Sequence, residues 1–227
     1  MKDELKYFSL AHKLNEKHKM FLLEKKVHFR ASKNSFALIS LSEESPEQGI
    51  KCSYTEYSSE KDISELIKKA IKKIDIPKRP TPEKRLQAFI INYALNNNNE
   101  LLFDKNIKFI TSEIAIYNKD KKKIVTDILG YNETNNQLCV IELKDDRQEK
   151  RLIEQVNNFE NIINEDKTEF FSQLLSIHGF KSSNNTPLKV AKFVVWPHGT
   201  ASPKEKLKAE KITEITFQPD YSFKNFN

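Results

Sequence analysis

A run of short apolar segments that ends in charged residues constrains this chain more than any other feature. Four segments have the alternating pattern typical of β-strands and are separated by polar turns, at 107–110, 113–117, 124–131 and 138–144. The last one, Leu138-Cys-Val-Ile-Glu-Leu-Lys144, is apolar until its final three residues. Burying charges at a strand end is costly unless they are paired or bind a metal. The chain therefore has to fold so that these charges meet partners.

Alternate residues of a strand share one face, so Asp127, Glu142 and Lys144 are expected to project together from neighbouring strands. Mg²⁺ is commonly held by one or two carboxylates with waters and substrate phosphates. Asp127 and Glu142 are therefore candidate ligands of Mg²⁺ or Mn²⁺, and the Leu143 carbonyl is a third. Lys144 is a candidate to orient or deprotonate an attacking water. The pattern favours metal-assisted phosphodiester hydrolysis, and the alternative is a purely structural ion pair.

The elements around these strands predict an α/β fold. Thr81 as N-cap and Pro82 at the first helical position predict a helix that ends at Asn96 to Asn99. Further elements are expected after the charged strand end: helices at 152–163 and 170–177, a strand at 190–196, a helix at 203–210 and a strand at 212–217. The predicted order is thus α-β-β-β-α-(α)-β-α-β.

Within this order, Asp127 followed after fourteen residues by Glu142-Leu143-Lys144 resembles the PD-(D/E)XK nuclease superfamily. The resemblance covers about residues 83–217. It implies a restriction-endonuclease-like core, α-β-β-β-α-β, with a mixed central sheet flanked by helices. It also implies that Asp127 and Glu142 bind the metal and that Lys144 is catalytic.

The same resemblance implies roles for two further residues. Glu83, on the first helix of the core, stands where several branches carry an extra acidic metal ligand; the alternative is an acid that favours a helix N-terminus. Gln155, in Gln155-Val-Asn-Asn-Phe159, is similar to the Gln-x-x-x-Tyr element of some branches and is counted with the catalytic residues. The sequence departs from the family pattern at Phe159, where Tyr is usual, and at Thr126, where Pro is usual. Glu113 competes as an extra acid, but a solvated edge residue is the preferred interpretation.

Three prolines within 77–82 predict a linker between two domains. Before it, residues 1–76 are expected to form a small α+β module, and 83–227 the nuclease domain. The module's predicted elements are a helix at 10–26, strands at 27–31, 35–41 and 51–57, and a helix at 62–74. The formal net charge is +6, with 17 basic and 12 acidic residues up to residue 82 against 21 and 20 after it. The basic module is therefore the candidate for substrate recognition.

The expected function is hydrolysis of DNA by a metal-dependent nuclease, in phage defence, restriction or repair. RNA is not excluded as the substrate, and a homodimer is plausible because double-strand cutting usually needs two sites. The lysine clusters 68–73 and 119–123 are candidates to follow a phosphate backbone, or are solvated faces. The alternatives are a catalytically inactive nuclease fold that binds nucleic acid or protein, an RNase on the same fold, and a regulatory protein without metal.

Composition bears mainly on the compartment. Two cysteines, Cys52 and Cys139, lie far apart without neighbouring metal ligands, which favours a reducing cytoplasm over a disulfide framework or a zinc site. The longest apolar runs are far shorter than the ~20 residues that cross a bilayer. We therefore expect a cytoplasmic protein without a membrane partner.

Overall fold

The structure is a computed structural model. It describes residues 5–32, 35–52, 59–73, 81–117, 123–144, 149–181, 188–198, 203–218 and 223–226, with side chains except at 70–73, 149–151, 165–166 and 223–226. The helices are α1 (Lys6–Lys17), α2 (Lys19–Glu24), α3 (Glu60–Lys73), α4 (Pro82–Asn96), α5 (Glu149–Ile162), α6 (Thr168–Ile177) and α7 (Lys204–Ala209). The strands are β1 (Val27–Ser32), β2 (Ser35–Ser40), β3 (Gly49–Cys52), β4 (Glu100–Leu101), β5 (Asp104–Tyr117), β6 (Lys123–Asn132), β7 (Gln137–Leu143), β8 (Lys189–Pro197), β9 (Ile212–Phe217) and β10 (Phe223–Phe226).

A mixed sheet forms the centre of the molecule. Its strand order is β10-β9-β8-β7-β6-β5-β4. Strands β4 to β7 form an antiparallel meander, β7, β8 and β9 run parallel, and β10 returns antiparallel to β9. A mixed α/β architecture in which helices flank the sheet is confirmed. Over 82–217 the order of elements differs from the predicted one by the short strand β4, which precedes β5.

Two layers of buried apolar side chains cover the faces of this sheet. On one face, α4 packs through Leu86, Ile90 and Ile91 against Ile141 and neighbouring residues. On the other face, buried side chains of α5, α6 and α7 form a larger cluster with the sheet. Between α5 and α6 the chain makes a π-helical turn at Ile163–Lys167. Helices on opposite faces can therefore approach the same strand ends from both sides.

The N-terminal elements form a second, three-stranded sheet, β1-β2-β3, with both pairs antiparallel. The single helix expected at 10–26 is instead two helices, because the backbone at His18 leaves helical geometry. The predicted strands at 27–31 and 35–41 are observed. The third begins at Gly49, and its expected part at 53–57 lies outside the described residues.

The N-terminal elements pack on the main sheet and its helices. Buried residues of α1, β1 and β2 belong to the same apolar cluster as those of α5 and α6. The Phe8 and Phe170 rings meet edge to face at 5.9 Å, and His28 lies beside Phe109 of β5 at 6.4 Å. Of the predicted linker, 77–80 lie outside the described residues, and the division into two domains stays a prediction.

The segments 107–110 and 113–117 belong to one long strand, β5, so the expectation of two strands there was wrong. A bulge between Phe109 and Thr111 shifts its register against β6. Gly130 of β6 lies opposite this bulge, where a Cβ would come within 2.5 Å of the Ile107 side chain. Further along β5, Glu113 has a left-handed φ of 51°. Such irregularities interrupt a strand pattern in the sequence without ending the strand.

None of the described helices is both long enough and apolar enough to cross a membrane.

Candidate functional site

The strands β6 and β7 separate where the candidate residues lie. Their backbone pairing ends at Ile128 and Ile141. Beyond that pair the Thr126 hydroxyl donates to the Ile141 carbonyl at 3.2 Å. An oxygen of Asp127 accepts from the Leu143 N–H at 2.8 Å. Side chains of β6 thus replace backbone bonds to β7, and the strands open at the predicted site.

Two glutamines bind the carbonyl groups that this opening leaves unpaired. Gln87 of α4 donates to the Asp127 carbonyl at 2.8 Å, and Gln155 of α5 donates to the Val125 carbonyl at 2.9 Å. The Gln155 amide also donates to Glu142 Oε2 at 2.7 Å. Buried backbone carbonyls need such partners, because an unpaired one costs free energy comparable to a lost hydrogen bond. The helices on both faces of the sheet therefore hold the same segment of β6.

The Lys144 ammonium lies among three carboxylates. Its Nζ is 3.6 Å from Glu142 Oε2, 3.8 Å from Asp127 Oδ2 and 3.7 Å from Glu83 Oε1. It also donates to the Leu143 carbonyl at 2.8 Å. The structure thus brings together all the residues predicted as metal ligands, with a cation at their centre.

Burial and charge shift the ionisation of this group in opposite directions. Burial raises the pKa of Asp127, although Lys144 and the Leu143 N–H act against the shift. Burial, and next the Asp127 charge, raise the pKa of Glu142 well above its ordinary value. Burial alone would lower the pKa of Lys144, but Asp127, Glu142 and Glu83 outweigh it, and its pKa is raised. Lys144 is therefore protonated at neutral pH. The Asp127 and Glu142 carboxylates repel each other when both are ionised.

The site offers oxygen donors of the kind that bind a divalent metal. In the described ranges, no three His, Cys, Asp or Glu side chains are grouped so that they could hold a metal ion. Mg²⁺ needs only one or two carboxylates, since waters and substrate phosphates complete its shell. Glu142 Oε1 is buried and makes no hydrogen bond of acceptable geometry to any described residue. Asp127, Glu142 and the Leu143 carbonyl are therefore oxygen donors of the kind that a hard cation takes, and Glu142 Oε1 is not engaged in a hydrogen bond with any described residue.

The two residues that depart from the family pattern, Phe159 and Thr126, are both buried. The Phe159 ring is 1% exposed and packs against Phe171 at 6.0 Å in the apolar layer. Thr126 is fully buried, and its hydroxyl bonds to β7 as described above. Thr126 therefore takes part in the strand opening at the site, and Phe159 belongs to the apolar layer on the α5 side of the sheet.

Sequence reasoning missed Gln87 and Lys84. Gln87 is fully buried within the apolar side of α4, where the sequence shows only a polar residue between Leu86 and Ala88. A glutamine at a core position was the available signal, because a buried amide requires partners. Glu113, interpreted from the sequence as a solvated edge residue, lies on β5 beyond the residues that pair with β4. Its side chain is 27% exposed and forms an ion pair with Lys84, a partner that the sequence did not indicate.

The lysine clusters are only partly described. Lys68 and Lys69 are exposed on α3, and Lys123 is exposed at the start of β6. The side chains of 70–73 and residues 118–122 lie outside the described part of the chain. A role of these clusters in binding phosphates stays a prediction.

No protein-family model and no curated protein matches this chain. Support for a function therefore has to come from the residues themselves. The arrangement of Asp127, Glu142 and Lys144 at the opened strand ends is the feature on which a function can be argued.

Proposed function

We propose that the chain is a metal-dependent nuclease that hydrolyses phosphodiester bonds of DNA on a restriction-endonuclease-like fold. One observation carries the proposal: two buried carboxylates, Asp127 and Glu142, meet where β6 and β7 separate, with Lys144 beside them. A buried pair of like charges is costly, and such pairs cluster at functional sites. Structural needs alone do not account for Glu142 Oε1, which is buried without a hydrogen bond to the described residues.

Asp127, Glu142 and the Leu143 carbonyl would hold Mg²⁺ or Mn²⁺, which activates water and neutralises charge on the phosphate. Lys144, whose pKa is raised, acts as a hydrogen-bond donor to a water or a phosphate oxygen. Gln155 fixes Glu142 by donating to Oε2, and Oε1 accepts a hydrogen bond from none of the described residues. Glu83 faces Lys144 from α4 and is the third carboxylate available to the site.

The substrate follows from the chemistry of the site and from charge. The formal net charge of +6 favours binding of a polyanion. DNA is the preferred substrate, with RNA as the alternative. A homodimer and a role in restriction, repair or phage defence are parts of the same proposal.

The test compares wild type with Asp127→Asn and Lys144→Met on linear, circular and single-stranded DNA and on RNA. Each reaction is run with Mg²⁺, Mn²⁺ or EDTA. Wild type should cleave only with metal, and each variant should lose at least ~100-fold in rate, because each removes a group that acts on the reacting atoms. Lys108→Met is the matched control, since Lys108 forms a similar ion pair with Glu100 at 2.9 Å, away from the site.

Three outcomes decide between the candidates. Metal-dependent cleavage of DNA that survives Lys108→Met but not Asp127→Asn supports the proposal. Cleavage of RNA alone keeps the chemistry and replaces the substrate. Absence of cleavage with every polymer, or equal cleavage by wild type and Asp127→Asn, overturns the proposal in favour of an inactive binding fold.

A further inference from the structure

The Asp127 carbonyl is held by an amide whose orientation is itself controlled. An amide side chain presents a donor on one side and an acceptor on the other. Lys84 donates to Gln87 Oε1 at 2.9 Å, which leaves Gln87 Nε2 to donate to the Asp127 carbonyl. Reversing the amide would place Nε2 against the Lys84 ammonium, which is also a donor, and Oε1 against the Asp127 carbonyl, which is also an acceptor. Lys84 therefore selects the orientation that binds β6 at the site.

Lys84 is in turn held by Glu113 of β5. The two side chains form an ion pair and are only 35% and 27% exposed. Burial alone would raise the pKa of Glu113, but the bond to Lys84 and the charges of Lys84 and Arg30 outweigh it, and the pKa is lowered. In register, Glu113 falls opposite Asp127, between the pairs Ser112↔Ile128 and Ile114↔Thr126. A left-handed residue on β5 thus carries the carboxylate that orients Lys84.

The N-terminal sheet adds a second ion pair beside the first. Arg30 of β1 binds Glu47, whose side chain is 2% exposed and whose φ is 61°. The charges of Arg30 and Lys84 both act on Glu47, and Arg30 also acts on Glu113. Strand β1 packs beside β5, where the His28 and Phe109 rings lie 6.4 Å apart, so the Arg30–Glu47 pair and the Lys84–Glu113 pair each have one member on these neighbouring strands.

We propose that Arg30, Glu47, Lys84 and Glu113 are a positioning network that fixes the Asp127 segment of β6 through Gln87. The proposal rests on the proposed function and deepens it: the N-terminal sheet is a working part of the metal site as well as a candidate substrate-binding surface. The four residues are positioning residues, since they act on Asp127 through Gln87. A flexible β6 would cost metal affinity, because outer-shell partners typically contribute 10–100-fold to it.

The first test measures Mn²⁺ affinity without substrate, by counting free Mn²⁺ with electron paramagnetic resonance. Lys84→Met and Gln87→Leu should weaken Mn²⁺ binding about 10-fold, and Arg30→Met by a smaller factor. Lys84→Arg keeps the charge and the donors and should stay near wild type. Lys108→Met removes an ion pair of similar exposure elsewhere on β5 and should leave the affinity unchanged.

The second test needs no metal and does not depend on the nuclease proposal. Hydrogen exchange of the peptide around 125–128 should be faster in Lys84→Met than in wild type, while a peptide around 137–141 keeps its protection. Unchanged exchange at 125–128, or a Mn²⁺ affinity of Lys84→Met equal to that of Lys108→Met, overturns the network. Equal Mn²⁺ binding by wild type and Asp127→Asn overturns the metal site itself and the network's role in it.

Discussion

At the scale of single residues, the site places ionisable side chains where burial disfavours their charged forms. Glu142 is 1% exposed, lies near another carboxylate and has one oxygen without a hydrogen bond to the described residues. Lys144 compensates part of this charge from 3.6 Å. A neutral group at the Glu142 position would stabilise the fold, because it would remove the repulsion between two buried carboxylates.

Glu142→Gln is therefore expected to raise the free energy of unfolding of the metal-free protein by about 1 kcal/mol. The amide removes the repulsion with Asp127 and keeps an acceptor for Gln155. Urea unfolding at neutral pH measures the change. Mn²⁺ should stabilise wild type, because a ligand that binds only the folded state raises the free energy of unfolding. It should not stabilise Glu142→Gln, because this variant lacks a proposed metal ligand.

Glu214→Gln is the matched control, because Glu214 is also a buried carboxylate of the sheet but accepts from Trp196 Nε1 at 2.7 Å. It should not gain stability, since its charge is satisfied by a donor. If Glu142→Gln does not increase the free energy of unfolding relative to Glu214→Gln, the repulsion assigned to Glu142 and Asp127 does not exist.

His28 predicts a pH dependence of stability. Burial, and next Arg30, lower the pKa of this fully buried imidazole from 6.5 to about 3. Between those values the unfolded chain binds a proton that the folded chain does not, so the free energy of unfolding falls as the pH falls through this window. From pH 6.5 to pH 5 one such group removes about 1.6 kcal/mol of stability. Urea unfolding at the two pH values measures the loss.

His28→Leu should reduce this acid sensitivity. His178 has its pKa lowered to about 3 by burial and, next, by His12, and His178→Leu should remove a comparable part. A double variant whose stability falls with acid as steeply as that of wild type would show that other groups control the acid response.

At the scale of helices and strands, local patterns predicted which elements form but not where they are interrupted. The N-cap of α4 is a local signal, and the structure confirms it: the Thr81 hydroxyl accepts from the Lys84 N–H at 3.3 Å. The bulge of β5 depends on what lies across the sheet at Gly130, 20 residues further along the chain. A prediction from the local sequence alone therefore divides β5 into two strands.

The same difference of range explains what could be predicted of the site. Alternation along two strands was enough to predict that Asp127 and Glu142 share a face, whereas the role of Gln155 was implied only by the resemblance to a family element. The core position of Gln87 was a signal that it needs a partner, but the partner itself could not be predicted, because it is the backbone carbonyl of Asp127, 40 positions away, at the place where β6 separates from β7. Backbone groups exposed by an irregularity leave no mark in the sequence, whereas charged side chains do.

At the scale of the whole molecule, two sheets share one apolar layer. Cys52 reports on the N-terminal sheet and Cys139 on the main sheet, and both thiols are buried. Burial raises the pKa of Cys139 to about 12, so it does not react while the sheet is intact. The two cysteines therefore allow the opening of each sheet to be followed separately in the unmodified chain.

Because α1, β1 and β2 bury their apolar side chains in the same cluster as α5 and α6, we expect the two sheets to unfold together. Pulse alkylation with iodoacetamide across a urea series, read by mass spectrometry of the two cysteine peptides, should give coincident midpoints. Each peptide serves as the control for the other, since both are measured in the same sample. Labelling of Cys52 at clearly lower urea than Cys139 would instead show a separately folding N-terminal domain, as the proline-rich segment predicts. Coincident midpoints are also what the positioning network requires, because a sheet that opens on its own cannot hold the Asp127 segment in place.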